Sequence, residues 1–215
     1  MNSVDAVWGV GRVTIAPLCF TLARLRVYGA DRVPREGGCV LAANHFSWID
    51  PPCVGAACPR SIYYMAKIEA HRVPGLGQLI RGFGTFSVRR GESDREAVRL
   101  MRQLVREGHA LGLFVEGTRQ RSGVPGAVQP GAAMAALQEE VPVVPVAIHG
   151  SYAWKVFRPV SVAWGSPIRF DGLPRNGKGY REASEELQRE IRKLWEWLVA
   201  LHERGSRPRV AVPPA

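Results

Sequence analysis

The 215 residues carry 46% apolar and 22% charged side chains, a balance that excludes a disordered or fibrous chain and suffices for one domain with a full core, but not two of ordinary size. The formal charge of +10, from 29 Lys plus Arg against 19 Asp plus Glu, favours an anionic partner: phosphate, nucleic acid or a lipid surface. The four cysteines, Cys19, Cys39, Cys53 and Cys58, form no C-x-x-C pair and have no histidine at zinc-ligand spacing, which points away from a metal site or disulfide framework and towards a reducing compartment.

In chain order, the N-terminus lacks the basic, apolar, small-residue succession of a cleavable signal peptide. The stretch VTIAPLCFTLA, Val13 to Ala23, runs without a charge between Arg12 and Arg24. As a helix it covers roughly 16 Å, against the ~30 Å of a hydrocarbon core, so it does not span a membrane. Two readings stay open. It lies flat in an interface with Trp8, Leu18, Phe20 and Leu22 inserted and Arg12, Arg24 and Arg26 at the headgroups, or it packs on the domain's own core.

GGCVLAANH, Gly37 to His45, reads as a buried strand with His45 at its C-terminal end, and Pro51 and Pro52 then open a helix. Ser61 to Lys67 is the next strand, followed by a helix around Leu76 to Ile80 and a short strand from Thr85 to Val88. A capping box of Ser93 and Glu96 starts a helix bearing Val98, Met101, Leu104 and Val105, which Gly108 closes. Ala110 to Thr118 is a strand entering a glycine turn, and Pro130 starts a helix through Leu137. The strand in VVPVAIHG is expected to begin near Pro145, because proline does not suit a central ladder. Val160 to Trp164 alternates, and a long amphipathic helix follows from about Tyr180 to Glu203, with Leu187, Ile191, Leu194, Leu198 and Leu201 on one stripe.

Strands alternating with helices predict a single α/β domain with a mixed, mostly parallel sheet and helices on both faces, preceded by an apolar N-terminal helical segment. The segments divide as residues 1–30 for the helical entry, 31–204 for the domain and 205–215 for a loose tail. Ligands in such folds sit beyond the C-terminal strand ends, where His45, the Arg89/Arg90 pair and Glu116 all fall.

Three clusters there carry chemistry. In NHFSWIDPP, His45 and Asp50 point apart on a regular helix, since five positions turn about 500°, so they meet only if the segment is a turn. Asp50 is also explained as the N-cap of the next helix, because Pro51 disfavours the helical region for it. If the two meet, the carboxylate fixes the imidazole tautomer and the other ring nitrogen takes a proton from a hydroxyl or a water. No Ser or Cys sits in a G-x-S-x-G elbow. In GTFSVRR, Arg89 and Arg90 form either a solvated turn or a fork for a phosphate. In FVEGTRQ, Glu116, Gly117, Thr118 and Arg119 form a strand-ending turn able to hold both a hydroxyl and an anion. Between Arg60 and Arg121 stand 12 basic and 6 acidic residues, so that window holds +6 of the +10.

In order along the chain, with VPVVPVAI as a fourth block, these motifs resemble the 1-acylglycerol-3-phosphate acyltransferase family, over about residues 38 to 150. The family's pattern is NH-x4-D, then G-x-(apolar)-x-(apolar)-x-R, then F-P-E-G-T-R-S, then V-P-x-x-P. The resemblance implies that His45 is the general base and Asp50 its orienting partner, with Asn44 in the same block at the substrate. It implies that Arg90, or Arg89, holds the acceptor's phosphate and that Glu116 to Arg119 complete the glycerol-phosphate site. Implied partners are acyl-CoA or acyl carrier protein as donor, a lysophospholipid acceptor and a membrane surface at the cytoplasmic face, with peripheral or monotopic attachment; no metal, cofactor or nucleic acid is implied. Val115 stands where the family usually has Pro, and Gln120 where it usually has Ser. Attack of an alcohol on a thioester needs only a base, held geometry and a place for the oxyanion.

The rival readings are a sister acyltransferase with another lipid acceptor, a thioester hydrolase using the same pair on water, and a basic binding module. The last is disfavoured because Glu92, Asp94, Glu96 and Glu107 interrupt the mid-chain arginines.

Overall fold

The structure is a computed structural model that describes residues 3–88, 95–205 and 211–215. In chain order the elements are α1 (Ser3–Leu22), β1 (Arg26–Tyr28), a 3₁₀ turn (Ala30–Arg32), β2 (Cys39–Ala43), α2 (Asp50–Ala57), β3 (Ile62–Lys67), α3 (Ile68–Arg72), α4 (Leu76–Gly82), β4 (Phe86–Val88), α5 (Arg95–Arg106), β5 (Ala110–Phe114), α6 (Gly131–Glu139), β6 (Val143–His149), β7 (Ser161–Trp164) and α7 (Gly177–Glu203).

The seven strands form one sheet in the order β1-β7-β6-β2-β5-β3-β4, and every pair is parallel except β6 with β7. The central strand β2 is buried at all its positions, as a strand covered on both faces must be. Its side chains alternate: Cys39, Leu41 and Ala43 pack with Trp8, Cys19, Cys53 and Val54 of α1 and α2. Val40 and Ala42 face the other way, onto Leu104 and Val105 of α5, Ala132 and Ala136 of α6 and Leu187 of α7. The expected α/β domain with helices on both faces is therefore what forms. Gly38 is obligatory at the entry to β2, because a Cβ there would lie 1.9 Å from the Val105 carbonyl oxygen.

Several expectations are corrected. Pro145 lies inside β6, which sits centrally in the sheet, rather than at its start. It is tolerated because the antiparallel ladder with β7 is interrupted there: pairing runs from Val146↔Trp164 onward and resumes only at the Val143↔Ile168 bridge. The Pro145 carbonyl still accepts from Gly165 N–H at 2.8 Å. A short helix, α3, follows β3 where none was expected. The helix over Met101 and Leu104 is described from Arg95 to Arg106, and Ser93 of its expected capping box lies outside the described residues. Of the expected tail, residues 211–215 are described and lie against the domain: Arg32 donates to the carbonyls of Pro213 and Pro214 at 2.7 and 2.8 Å, and Pro213 is buried.

The N-terminal helix is longer than its uncharged stretch, at 20 residues. Among the described residues, no helix is long and apolar enough to cross a membrane. The two readings of α1 divide along its faces. Trp8, expected at an interface, is buried; its indole meets Phe83 edge-on at 5.1 Å, and its Nε1 donates to the Phe83 carbonyl. Val13, Leu18, Phe20 and Leu22 remain exposed. Trp8→Ala should therefore lower stability by about 3–5 kcal/mol, read from the denaturant midpoint, and leave vesicle binding unchanged. A variant of normal stability with weakened vesicle binding would contradict this placement.

Part of the mid-chain positive charge is structural. Arg60 donates to the carbonyls of Pro34, Gly37 and Gly108 at 2.7–2.9 Å, and Arg102 and Arg106 both grip Glu139. Those guanidiniums hold Glu139 below the usual carboxylate range.

Candidate functional site

The site lies where the parallel strands β2 and β5 end side by side, with Ala43 opposite Phe114. After β2 the chain leaves regular structure for six residues, and this turn brings together what a helix would keep apart. His45 Nδ1 lies 2.8 Å from Asp50 Oδ2. The same carboxylate oxygen accepts the backbone N–H groups of Phe46 at 2.6 Å and Ser47 at 2.7 Å. Asp50 thus closes its own turn backwards instead of capping the helix ahead. The N-cap position falls to Ile49, and Asp50 is the first residue of α2. Pro51 and Pro52 follow in the first turn, where a missing N–H leaves no donor unsatisfied.

The two partners differ in access: the Asp50 side chain is 0% exposed and that of His45 14%. A carboxylate accepting from Nδ1–H fixes the tautomer in which Nε2 carries the lone pair. The ring is further held by a stack on Phe114, with centroids 4.1 Å apart, and Phe114 in turn stacks on Tyr64.

The backbone of His45 is clamped by the loop after β5. Its N–H donates to Glu116 Oε2 at 2.8 Å, and its carbonyl accepts from Gln120 N–H at 2.8 Å. The other oxygen of Glu116 accepts from Gly126 N–H at 2.8 Å. A Cβ at Gly126 would lie 2.7 Å from the end of the Gln120 side chain, which would have to swing aside for any larger residue. Glu116 is only 5% exposed, and burial pushes its carboxyl up to about 7, against the two N–H donors that favour the charged form.

Each oxygen of Glu116, expected as an acceptor ligand, accepts a backbone N–H, and these two bonds shape the histidine turn. Glu116→Gln keeps one acceptor and turns an NH₂ onto a buried N–H, an unpaired contact worth about 1–3 kcal/mol. The turn should loosen and kcat fall about tenfold or more, with the acceptor KM within about twofold of wild type. A rise confined to the acceptor KM would return Glu116 to the ligand role. Because its folded pKa is raised, the stability Glu116 contributes is fully present below its unfolded value near 4.5 and lost as pH rises through about 7. Wild type should therefore lose thermal stability relative to Glu116→Gln between pH 5 and 8.

Asn44 lies beside the same turn. It is fully buried, and both atoms of its amide are used by one residue of β6: Nδ2 donates to the Ile148 carbonyl at 3.0 Å and Oδ1 accepts from Ile148 N–H at 2.8 Å. It ties the end of β2 to β6 and so anchors the turn that carries His45. Gly117 takes a left-handed φ of 70° and closes a turn on the Phe114 carbonyl, while Thr118 and Arg119 stand exposed beside the clamp. β4 ends at Val88 on the same edge of the sheet; Arg89 and Arg90 lie outside the described residues. Val115 gains a bond that the usual proline cannot make, from its N–H to the Ala43 carbonyl at 3.0 Å. Gln120 serves through its backbone, so the change from serine does not disturb the clamp. Sequence reasoning gave no role to Gly126, which sits in a loop with no period, or to Ile148, whose contribution is backbone alone.

An aligned imidazole and a buried carboxylate at the carboxyl ends of a mostly parallel, doubly covered sheet define the chain as an α/β enzyme. The family model described as Acyltransferase matches residues 24–149. A 1-acyl-sn-glycerol-3-phosphate acyltransferase of Bacillus subtilis is 30% identical over 177 residues, which cover 79% of this chain and 87% of that protein. The chain belongs to the acyltransferase family of the 1-acylglycerol-3-phosphate acyltransferases. A lyso-ornithine lipid O-acyltransferase of Pseudomonas aeruginosa is 39% identical over 108 residues, 48% of this chain and 39% of that protein. The crystal structure of the LPA acyltransferase PlsC from Thermotoga maritima shares the fold, with a TM-score of 0.71 over 92% of this chain and 80% of that one, at 24% identity.

Proposed function

We propose that the protein moves a fatty acyl group from an acyl thioester, on coenzyme A or acyl carrier protein, to the sn-2 hydroxyl of 1-acylglycerol-3-phosphate, giving phosphatidate. The observation that carries this is the 2.8 Å contact of His45 Nδ1 with a fully buried carboxylate, which leaves Nε2 as the basic atom at the rim. In the step proposed, Nε2 takes the proton of the acceptor hydroxyl as its oxygen bonds to the thioester carbonyl. The tetrahedral intermediate then expels the thiolate, and the proton on His45 returns to that sulfur. Asp50 keeps the ring aligned and stabilises the imidazolium formed on the way.

Arg90, or Arg89, is the proposed phosphate fork, from the motif alone, with exposed Arg119 beside the His45 clamp as a second cation. The exposed apolar face of α1 would place the enzyme on a membrane, at its cytoplasmic side, as a peripheral or monotopic protein.

The test is thiol release from a long-chain acyl-CoA and from the matching acyl carrier protein, each with and without lysophosphatidate. Release that depends on the acceptor and yields phosphatidate supports the reading. Equal release without acceptor identifies a thioester hydrolase instead. Lyso-ornithine lipid belongs in the same assay, because the 39% identity to the Pseudomonas aeruginosa protein favours it as the second acceptor to try.

A further inference from the structure

The loop between β6 and β7 turns large apolar side chains outward. Val156 and Phe157 are 53% and 62% exposed. Phe157 also has a left-handed backbone, φ 64°, and Ala153 another, φ 48°. A bulky residue at positive φ is strained, and an exposed phenyl ring returns little core burial for it. The backbone is held there by the loop's own hydrogen bonds, whereas the outward ring buries little within the chain, and that placement marks a surface shaped for something outside it.

The loop is fastened at both sides. Phe157 N–H donates to the carbonyl of Leu22 at the end of α1, at 2.6 Å, and Val160 N–H to that of Ala23 at 2.9 Å. On the other side, Trp154 meets Trp48 edge-on at 6.2 Å, and Tyr152 meets Phe46 at 6.5 Å. Trp48 is 68% exposed and stands three residues after His45. The loop therefore joins the exposed end of α1, with Leu18 and Leu22, to the rim of the His45 turn in one apolar surface.

Its charge has one sign. No Asp or Glu occurs between Glu140 and Asp171, nor between Asp5 and Asp31, while Lys155, Arg158 and Arg24 are exposed within these stretches. Indole and phenyl rings interleaved with unpaired cations suit the boundary between anionic headgroups and acyl chains.

We propose that Trp48, Trp154 and Phe157, together with Leu18 and Leu22, form an aromatic docking surface for an anionic lipid bilayer that seats the His45 rim directly on the membrane. This deepens the lipid-acceptor reading above and rests on it for its purpose, since an acceptor hydroxyl then reaches the base without its chain leaving the bilayer.

Flotation with phosphatidylglycerol/phosphatidylcholine vesicles tests the surface without any turnover. Phe157→Gly removes the ring and relieves the positive φ, so it should bind vesicles about tenfold more weakly while melting no lower than wild type. The double variant Lys155→Gln/Arg158→Gln should weaken binding to anionic vesicles and leave the residual binding to pure phosphatidylcholine vesicles unchanged. Vesicle binding of Phe157→Gly equal to wild type would overturn the proposal. In turnover, the ratio of rates on vesicle-embedded to dispersed short-chain lysophosphatidate should fall about tenfold in Phe157→Gly; equal slowing on both would also overturn it. A wild type that binds vesicles through this loop yet acylates no lysophospholipid would leave the surface standing and sink the acyl-transfer reading.

Discussion

Replacing His45 by alanine should lower kcat for acceptor-dependent thiol release by about 10³-fold, leave both KM values within a fewfold of wild type, and leave the protein folded. The magnitude is that of a positioned general base, which contributes roughly 10²–10⁴. Stability should survive because the ring is at the rim and the turn does not depend on it. Asp50 still accepts the N–H groups of Phe46 and Ser47, and the Glu116 and Gln120 bonds to residue 45 are made by its backbone, which alanine retains. The measurement is single-turnover acyl transfer at saturating donor, paired with a thermal melt. A kcat within tenfold of wild type would reject His45 as the base. A melt lowered by tens of degrees would show instead that the ring is a structural plug.

This independence of ring and backbone explains which parts of the site could be read from the sequence. The strand that ends in His45 announces itself by an apolar run between glycines, and proximity to the Glu116 turn then follows because β2 and β5 are parallel neighbours. The residue types that do chemistry are few and sit beyond strand ends, so they stand out. What they touch does not. Asn44 and Glu116 carry polar groups that suit a substrate equally well, but the fold uses them on the backbone of Ile148, His45 and Gly126. Backbone donors have no sequence signature, so a polar side chain that serves them is indistinguishable from one that serves a ligand.

The same reason lies behind the misplaced boundaries. Pro145 was expected to bar a central ladder, yet the break that admits it is set by Gly165 to Ile168, some 20 residues further along the chain. Asp50 was expected to cap the helix in front of it, the commonest local use of an aspartate before proline. The turn behind it offers three donors to one oxygen instead, which outweighs the single cap bond. α1 was legible as an apolar helix, but which face it buries was not, since that depends on Phe83 and Gly55 arriving from distant segments to receive Trp8.

Because Asp50 serves both the ring and the turn, its two roles come apart under different substitutions. Asp50→Ala removes the acceptor for two backbone N–H groups and for the imidazole, in a position with no access to solvent. At about 1–3 kcal/mol for each buried donor left unpaired, the loss should reach roughly 3–5 kcal/mol, a large share of the 5–15 kcal/mol that holds a domain together. Activity should vanish with the turn. Asp50→Asn differs in one respect: its remaining oxygen can accept the same donors, and its NH₂ takes the place of Oδ1, which has no hydrogen-bond partner among the described residues. The turn should hold, with stability within about 1–2 kcal/mol of wild type. The negative charge that steadies the imidazolium is gone, and kcat should fall by roughly 10²–10⁴. Denaturant unfolding and single-turnover rates on the two variants together decide the matter. An Asp50→Asn enzyme that transfers acyl groups at the wild-type rate would reduce Asp50 to a backbone clasp, and the base would then need no carboxylate behind it.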